Sequence, residues 1–264
     1  MDIVFRRSNI FWILVFGFSS PLILLIVLTL GEMLVEPSGE QLLQALSDKK
    51  VMKCIARSIY TALAAACIAF AFGTPLAYLM ARKSFPGKKI IEGIIDLPIM
   101  IPHPVIGIAI LSLLGKHHPL GKMLHEIGFR VMGTAGGIIT VMLFVGMPFY
   151  VNAVKNGFEN ISPRLENVSR SLGAGITSTF FRVDFPLAWR DMVLGAIMCT
   201  ARAISEFGAV VIVAYHPMTA PVLIYERFTA YGLKYSQPVA FWLIVISLAL
   251  FVGMRFFSRQ AQRT

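Results

Sequence analysis

Residues 167–186 read NVSRSLGAGITSTFFRVDFP. The stretch is polar, basic and punctuated by Gly173 and Gly175, yet it sits between long apolar runs. Those runs set the class of the protein. Of 264 residues, 56% are hydrophobic and only 14% are charged, against about 25% charged in soluble domains. Mean hydropathy is +0.73. A water-soluble fold could not bury so much apolar surface, so the bilayer is the solvent. The net charge of +10 would suggest nucleic acid as partner of a soluble protein. Here it fits basic loops against anionic headgroups, with a lipid bilayer as partner and no nucleic acid.

A helix crosses the hydrocarbon core with about 20 apolar residues. Uncharged runs occupy residues 8–31, 58–81, 97–115, 131–154 and 235–254. A sixth, 192–215, is apolar except for Arg202 and Glu206. The run at 8–31 is too long for a signal-peptide core and has no small-residue cleavage pattern after it, so it reads as a retained spanning helix. The expectation is an all-α membrane protein with six transmembrane helices, forming one transmembrane domain over residues 1–264. With the N-terminus inside, fourteen Lys and Arg fall in cytoplasmic segments and nine outside, the bias being clearest at Arg82, Lys83, Lys88 and Lys89. The positive-inside rule then puts both termini in the cytoplasm of a multi-pass plasma-membrane protein. The opening stretch falls in the second cytoplasmic loop, about residues 155–190. Cys54, Cys67 and Cys199 have no metal-ligand spacing and read as small hydrophobes.

Local signals give this loop structure. Ser162 suits an N-cap and Pro163 the first helical position. Leu165, Val168 and Leu172 fall at i, i+3 and i+7, which makes one apolar stripe. Gly173 suits the residue just beyond a helix end. A second short helical pattern follows from Ile176, and Pro186 marks entry to the fifth span. The expectation is two short helices about a glycine bend, the apolar stripe packed on the protein's own helices and the polar face left for a partner. An amphipathic helix lying on the membrane has the same periodicity.

The spacing adds to this. From Gly173, Val183 follows after 10 residues and Pro186 after 13. Placed beside Asn167-Val168-Ser169-Arg170, this resembles the EAA loop of ABC-importer permeases, E-A-A-x3-G-x9-I-x-L-P. The glycine, the interval and the proline match. Asn167, Val168 and Ser169 depart from the E-A-A residues, and Phe185 replaces the leucine. The resemblance implies an ABC-importer permease fold in which a short helix of this loop docks on a separate ATPase.

Two further stretches bear on the route through the membrane. Arg202 and Glu206 are four apart and share a helix face. Each unpaired would cost about 2.5–3.5 kcal/mol at mid-helix. They either line a translocation route or form a structural ion pair, with Gly208 permitting close helix approach. The sequence 96-DLPIMIPHPVIG-107 carries Pro98, Pro102 and Pro104. Carbonyls freed by proline are tolerated in a membrane only against protein or a cavity. Residues 98–107, ending at Gly107, either border a pore or form a kinked packing helix, with His103 as a polar contact.

Ser205-Glu206-Phe207-Gly208-Ala209 resembles the GEFGA text of sulfate, molybdate and tungstate permeases, and residues 215–228 are most similar to molybdate/tungstate members. The resemblance implies an ATP-driven importer for molybdate or tungstate, with sulfate or thiosulfate as the alternative. It further implies a second permease copy, two ABC ATPase subunits and an extracytoplasmic oxyanion-binding protein. The chain itself lacks a P-loop: Gly115 and Gly121-Lys122 are separated by five residues and followed by Met123. ATP and magnesium therefore belong to the partner ATPase, and the chain holds no cofactor directly. Neither H-E-x-x-H nor G-x-S-x-G occurs, which removes the common motifs of a membrane-embedded hydrolase. A self-contained secondary transporter would show repeated halves, and no clear repeat is visible.

Overall fold

In the computed structural model the backbone is described for residues 2–260 and side chains for residues 11, 12 and 14–256. Among these residues every regular element is helical. The elements are α1 (Asp2–Val35), α2 (Gly39–Ser47), α3 (Lys49–Ile68), α4 (Thr74–Arg82), α5 (Lys88–Met100), α6 (His103–Leu114), α7 (Pro119–Glu126), α8 (Ala135–Asn160), α9 (Pro163–Ser171), α10 (Ile176–Thr179), α11 (Phe185–Ile204), α12 (Gly208–Val213), α13 (Ala220–Tyr231) and α14 (Leu233–Gln260). Single π turns, Ala69–Gly73 and Phe180–Asp184, join α3 to α4 and α10 to α11 without a break.

Four helical stretches are long and apolar enough to cross a membrane: Leu14–Val35, Lys49–Arg82, Ala135–Asn160 and Leu233–Phe256. They account for the expected runs at 8–31, 58–81, 131–154 and 235–254. The other two runs are not straight helices. Residues 97–115 are cut at Ile101-Pro102, and α5 and α6 meet at a bend of 116°. Pro102 removes an amide donor and Ile101 takes the extended conformation that precedes proline, so one helix cannot run through. With this bent pair the number of candidate spans is five. Residues 192–215 are interrupted too: α11 ends at Ile204, and α12 begins at Gly208.

Capping follows local chemistry. Ser38 and Gln41 form a capping box at α2. The Thr134 hydroxyl accepts from the Gly137 N–H at the start of α8. Asp48 caps α3 through the Lys50 N–H at 2.7 Å and accepts from Arg227 of α13 at 2.6 Å. Burial pushes this carboxyl up, but the Lys50 amide and the Arg227 guanidinium outweigh it and hold it below the usual aspartate range.

Helix α8 is the centre of the packing, with α11, α3 and α4 around it. Tyr150 and Phe158 of α8 are fully buried, and the Tyr150 hydroxyl bonds Thr74 at 2.7 Å. At the other end of the core, α6, α12 and α13 join α3 and α8. In contrast, none of the Leu14–Val35 window of α1 is buried.

Candidate functional site

Two places hold the residues that the sequence singled out. The first is where the two broken helices meet. The bend before α6 and the break before α12 lie against each other, and Gly208 makes this possible. A Cβ on Gly208 would stand 2.8 Å from the Cβ of His103 and 3.3 Å from Pro104. On the facing helix, a Cβ on Gly107 would stand 2.9 Å from the carbonyl oxygen of Ala209. No side chain fits in either position without separating α6 from α12.

This contact brings together residues that are a hundred apart in sequence. Arg202 Nη2 donates to Glu206 Oε2 at 2.8 Å and lies within 3.0 Å of the His103 ring nitrogens. His103 Nδ1 is 3.2 Å from the same carboxylate oxygen. The other oxygen, Oε1, accepts from the Ala209 N–H at 2.9 Å and so caps α12. Glu206 is 1% exposed, whereas the Arg202 side chain keeps 21% and His103 41%. The carboxylate is thus the buried anchor, and the cation and imidazole face open space. Of the predicted pathway residues, Pro102, Pro104, Gly107, Arg202, Glu206 and Gly208 converge here. Phe207 turns onto Tyr225, with ring centroids 4.8 Å apart. Pro98 lies buried within α5, on the far side of the bend. His103 is the residue that ties the two breaks together. Its signal was its place between two prolines, but only the fold shows its partner.

The second place is the segment from α9 to α11, and here the structure corrects the sequence reading. Helix α9 forms, with Ser162 at its N-cap position and Pro163 first, but the Ser162 side chain makes no capping bond. Gly173 has φ +90°, the left-handed conformation expected just beyond a helix end. Its N–H donates to the Arg170 carbonyl at 2.9 Å, and the Ala174 N–H donates to Ser169 at 3.1 Å. The loop is shorter than 155–190: α8 runs to Asn160, and from Ile176 the chain is helical through the π turn into α11. The second short helix is therefore the first turn of α11's own column, and Pro186 lies within that column.

The stripe also faces the opposite way. Leu165, Val168, Leu172 and Ile176 are 47%, 58%, 83% and 67% exposed. The one buried residue of α9 is Glu166. Its Oε1 stands 2.5 Å from Nε of Arg82 at the end of α4. A buried cation took the inner face, and the apolar side chains were left outside. Asn167, Val168 and Arg170 are exposed, Ser169 is half-buried, and its hydroxyl bonds Thr179 at 3.1 Å. The sequence marked Arg82 only as a topology signal, and it did not link Arg82 to Glu166 or Asp184.

Comparison with known proteins decides the family. The family model of the binding-protein-dependent transport system inner membrane component matches residues 73–264. The chain belongs to that family. It is 43% identical to the molybdate/tungstate transport system permease protein WtpB of Thermococcus kodakarensis, over 82% of each chain. Identity to WtpB of Pyrococcus furiosus is 44%, again over 82% of each. A probable sulfate transport system permease protein of Chlorokybus atmophyticus is 36% identical over 75% of this permease and 71% of its own length. The fold is that of solved importers. A chain of a bacterial ABC transporter that imports alginate superposes with a TM-score of 0.70 at 15% identity, covering 97% of this permease and 98% of that chain. A chain of the MetNI methionine ABC transporter superposes with a TM-score of 0.63, covering 82% of this permease and all of that chain. The permease is a multi-pass inner membrane component of the ABC-importer fold.

Proposed function

We propose that the permease is the membrane-spanning subunit of an ATP-driven importer for molybdate or tungstate. The observation that carries the coupling role is α9, a short rigid helix fastened by its polar face and presenting an apolar ridge outward. A helix so placed is suited to a groove on another protein. ATP and magnesium belong to two ATPase subunits in that position, and ATP-driven movement passes through the Gly173 bend into α11. The exposed Asn167, Val168 and Arg170 make the contact beside the ridge of Leu165 and Leu172, Ser169 holds α9 to α10, and Gly173 and Pro186 set the geometry. The names of the relatives at 43–44% identity favour molybdate or tungstate over sulfate, the nearest alternative.

In this reading the bilayer is crossed six times, with α11 as the crossing that the apolarity of its own sequence marks least, and both termini are cytoplasmic. A second copy completes the route, and the unburied apolar face of α1 offers it a surface. The junction of α6 and α12 borders the pathway, with Pro102, Pro104, Gly107, Arg202, Glu206 and Gly208 at the contact and Pro98 and Phe207 flanking it. An extracytoplasmic binding protein delivers the oxyanion.

The test is ATP hydrolysis by the reconstituted complex with binding protein loaded with molybdate, tungstate or sulfate. Stimulation by the first two is the expected result. Uptake driven by an ion gradient with no ATPase present would overturn the reading. A Gly173→Trp permease should insert normally and lose stimulation, because a non-glycine residue is strained at φ +90°. Wild-type transport by that variant would remove the bend from the mechanism.

A further inference from the structure

The outward ridge of α9 raises a question of attachment. A helix that must transmit force has to be fixed to what it moves, yet α9 buries no apolar side chain. What fixes it is an ionic cluster. The Arg82 guanidinium touches three segments at once. Nε stands 2.5 Å from Glu166 of α9. Nη2 donates to the Ile161 carbonyl at 3.2 Å, at the exit of α8. Nη2 also stands 3.7 Å from Asp184, in the π turn that leads into α11. Asp184 is fully buried and accepts from the Tyr78 hydroxyl at 3.2 Å. The side chains of Arg82 and Glu166 are only 12% and 11% exposed.

Two facts argue that this cluster does more than hold the fold. First, charges taken out of water contribute little net stability, and apolar side chains of the same size would fix the helix as well or better. Second, the geometry joins α9 to two different columns. One is Lys49–Arg82, which spans about 50 Å at 1.5 Å per residue, and the other is the column that continues into α11. A displacement of α9 that carries Glu166 must carry Arg82, and through it both columns. The broad planar fork of arginine donates to Ile161 and at the same time lies at ion-pair distance from two carboxylates, a spread that the compact ammonium of lysine matches poorly.

We propose that Arg82 is the positioning residue of coupling: a buried latch, closed on Glu166 and Asp184, that makes α9, the foot of α4 and the foot of α11 move as one body. The proposal rests on the coupling role assigned to α9 above.

Two measurements test it. The first needs no ATPase. Spin labels at Arg164→Cys in α9 and Arg190→Cys in α11, in a Cys67→Ser background, report the spread of distances in the full-length permease in nanodiscs. The expected result is one narrow distribution with Arg82 present and a broad one in Arg82→Met and in Glu166→Gln. The second uses the complex with its ATPase and tungstate-loaded binding protein. Tungstate taken up per ATP hydrolysed should fall about tenfold in both variants while hydrolysis itself persists, and Arg82→Lys should recover only part. A role confined to stability would lower the amount of folded protein and leave uptake per ATP unchanged. Wild-type distance distributions together with wild-type uptake per ATP would overturn the latch. If Arg82→Met does not fold, Glu166→Gln decides alone. If the wild-type complex moves no oxyanion, the functional reading fails, and the distance measurement still decides whether the latch exists.

Discussion

Glu206 and Arg202 give the sharpest quantitative test of the junction between the broken helices. Glu206→Gln keeps an oxygen for the Ala209 N–H, so the cap on α12 survives. It loses the charge that faces Arg202 at 2.8 Å. A hydrogen bond to a charged group is worth about 1.5–3 kcal/mol net. An uncompensated cation at the centre of a spanning helix costs about 2.5–3.5 kcal/mol, and the exposure of Arg202 and its place in the last turn of α11 relieve part of that. A loss of about 2–3 kcal/mol follows, or roughly 4–12 °C in melting temperature for a chain of this size. Arg202→Met strands the buried carboxylate instead and should cost more, about 3–5 kcal/mol. The double variant Arg202→Met/Glu206→Gln removes both charges and should be more stable than either single one. The assay is unfolding in mixed detergent micelles, followed by tryptophan fluorescence. If the two single losses simply add in the double variant, to within about 0.5 kcal/mol, the charges are not coupled and the junction is held by something else.

Two other perturbations have clear directions. Gly208→Val places atoms within 3 Å of His103, so α6 and α12 must part; an overpacking cost of about 1–3 kcal/mol is expected in the same unfolding assay, with transport lost. Asp48→Asn removes a carboxylate whose folded-state pKa is depressed. The stability it contributes is fully present above the unfolded value of about 3.9 and is lost as pH falls through the lower folded value. The gap in melting temperature between wild type and variant should therefore hold from neutral pH to mildly acidic pH and close in strong acid.

Much of the architecture was legible because hydropathy is a local property. The four uninterrupted candidate spans follow directly from runs without charge. The two interrupted apolar runs were marked by their exceptions, Pro102 in one and Arg202 with Glu206 in the other. What could not be read was that these exceptions touch, since no local pattern links His103 to Glu206. The loop shows a different limit. Periodicity placed Leu165, Val168 and Leu172 on one face of α9, and the structure agrees that they share a face. Which face turns inward was decided by Arg82, which reaches from another helix and gives Glu166 a partner. Hydrophobic patterning assumes that apolar residues seek the protein's own interior, and it fails on α9, where a buried ion pair takes the inner side.

The outward ridge of α9 also has a consequence before any transport occurs. If α9 receives the ATPase as proposed, a permease copy made without it holds Leu165, Val168, Leu172 and Ile176 in water, a patch that soluble surfaces ordinarily avoid. The surface proposed to receive the motor would thus also mark its absence. On that proposal an orphan subunit is sticky at this spot, and assembly conceals it. Subunit stoichiometry can be policed by the cell's ordinary recognition of exposed apolar side chains, without a dedicated signal.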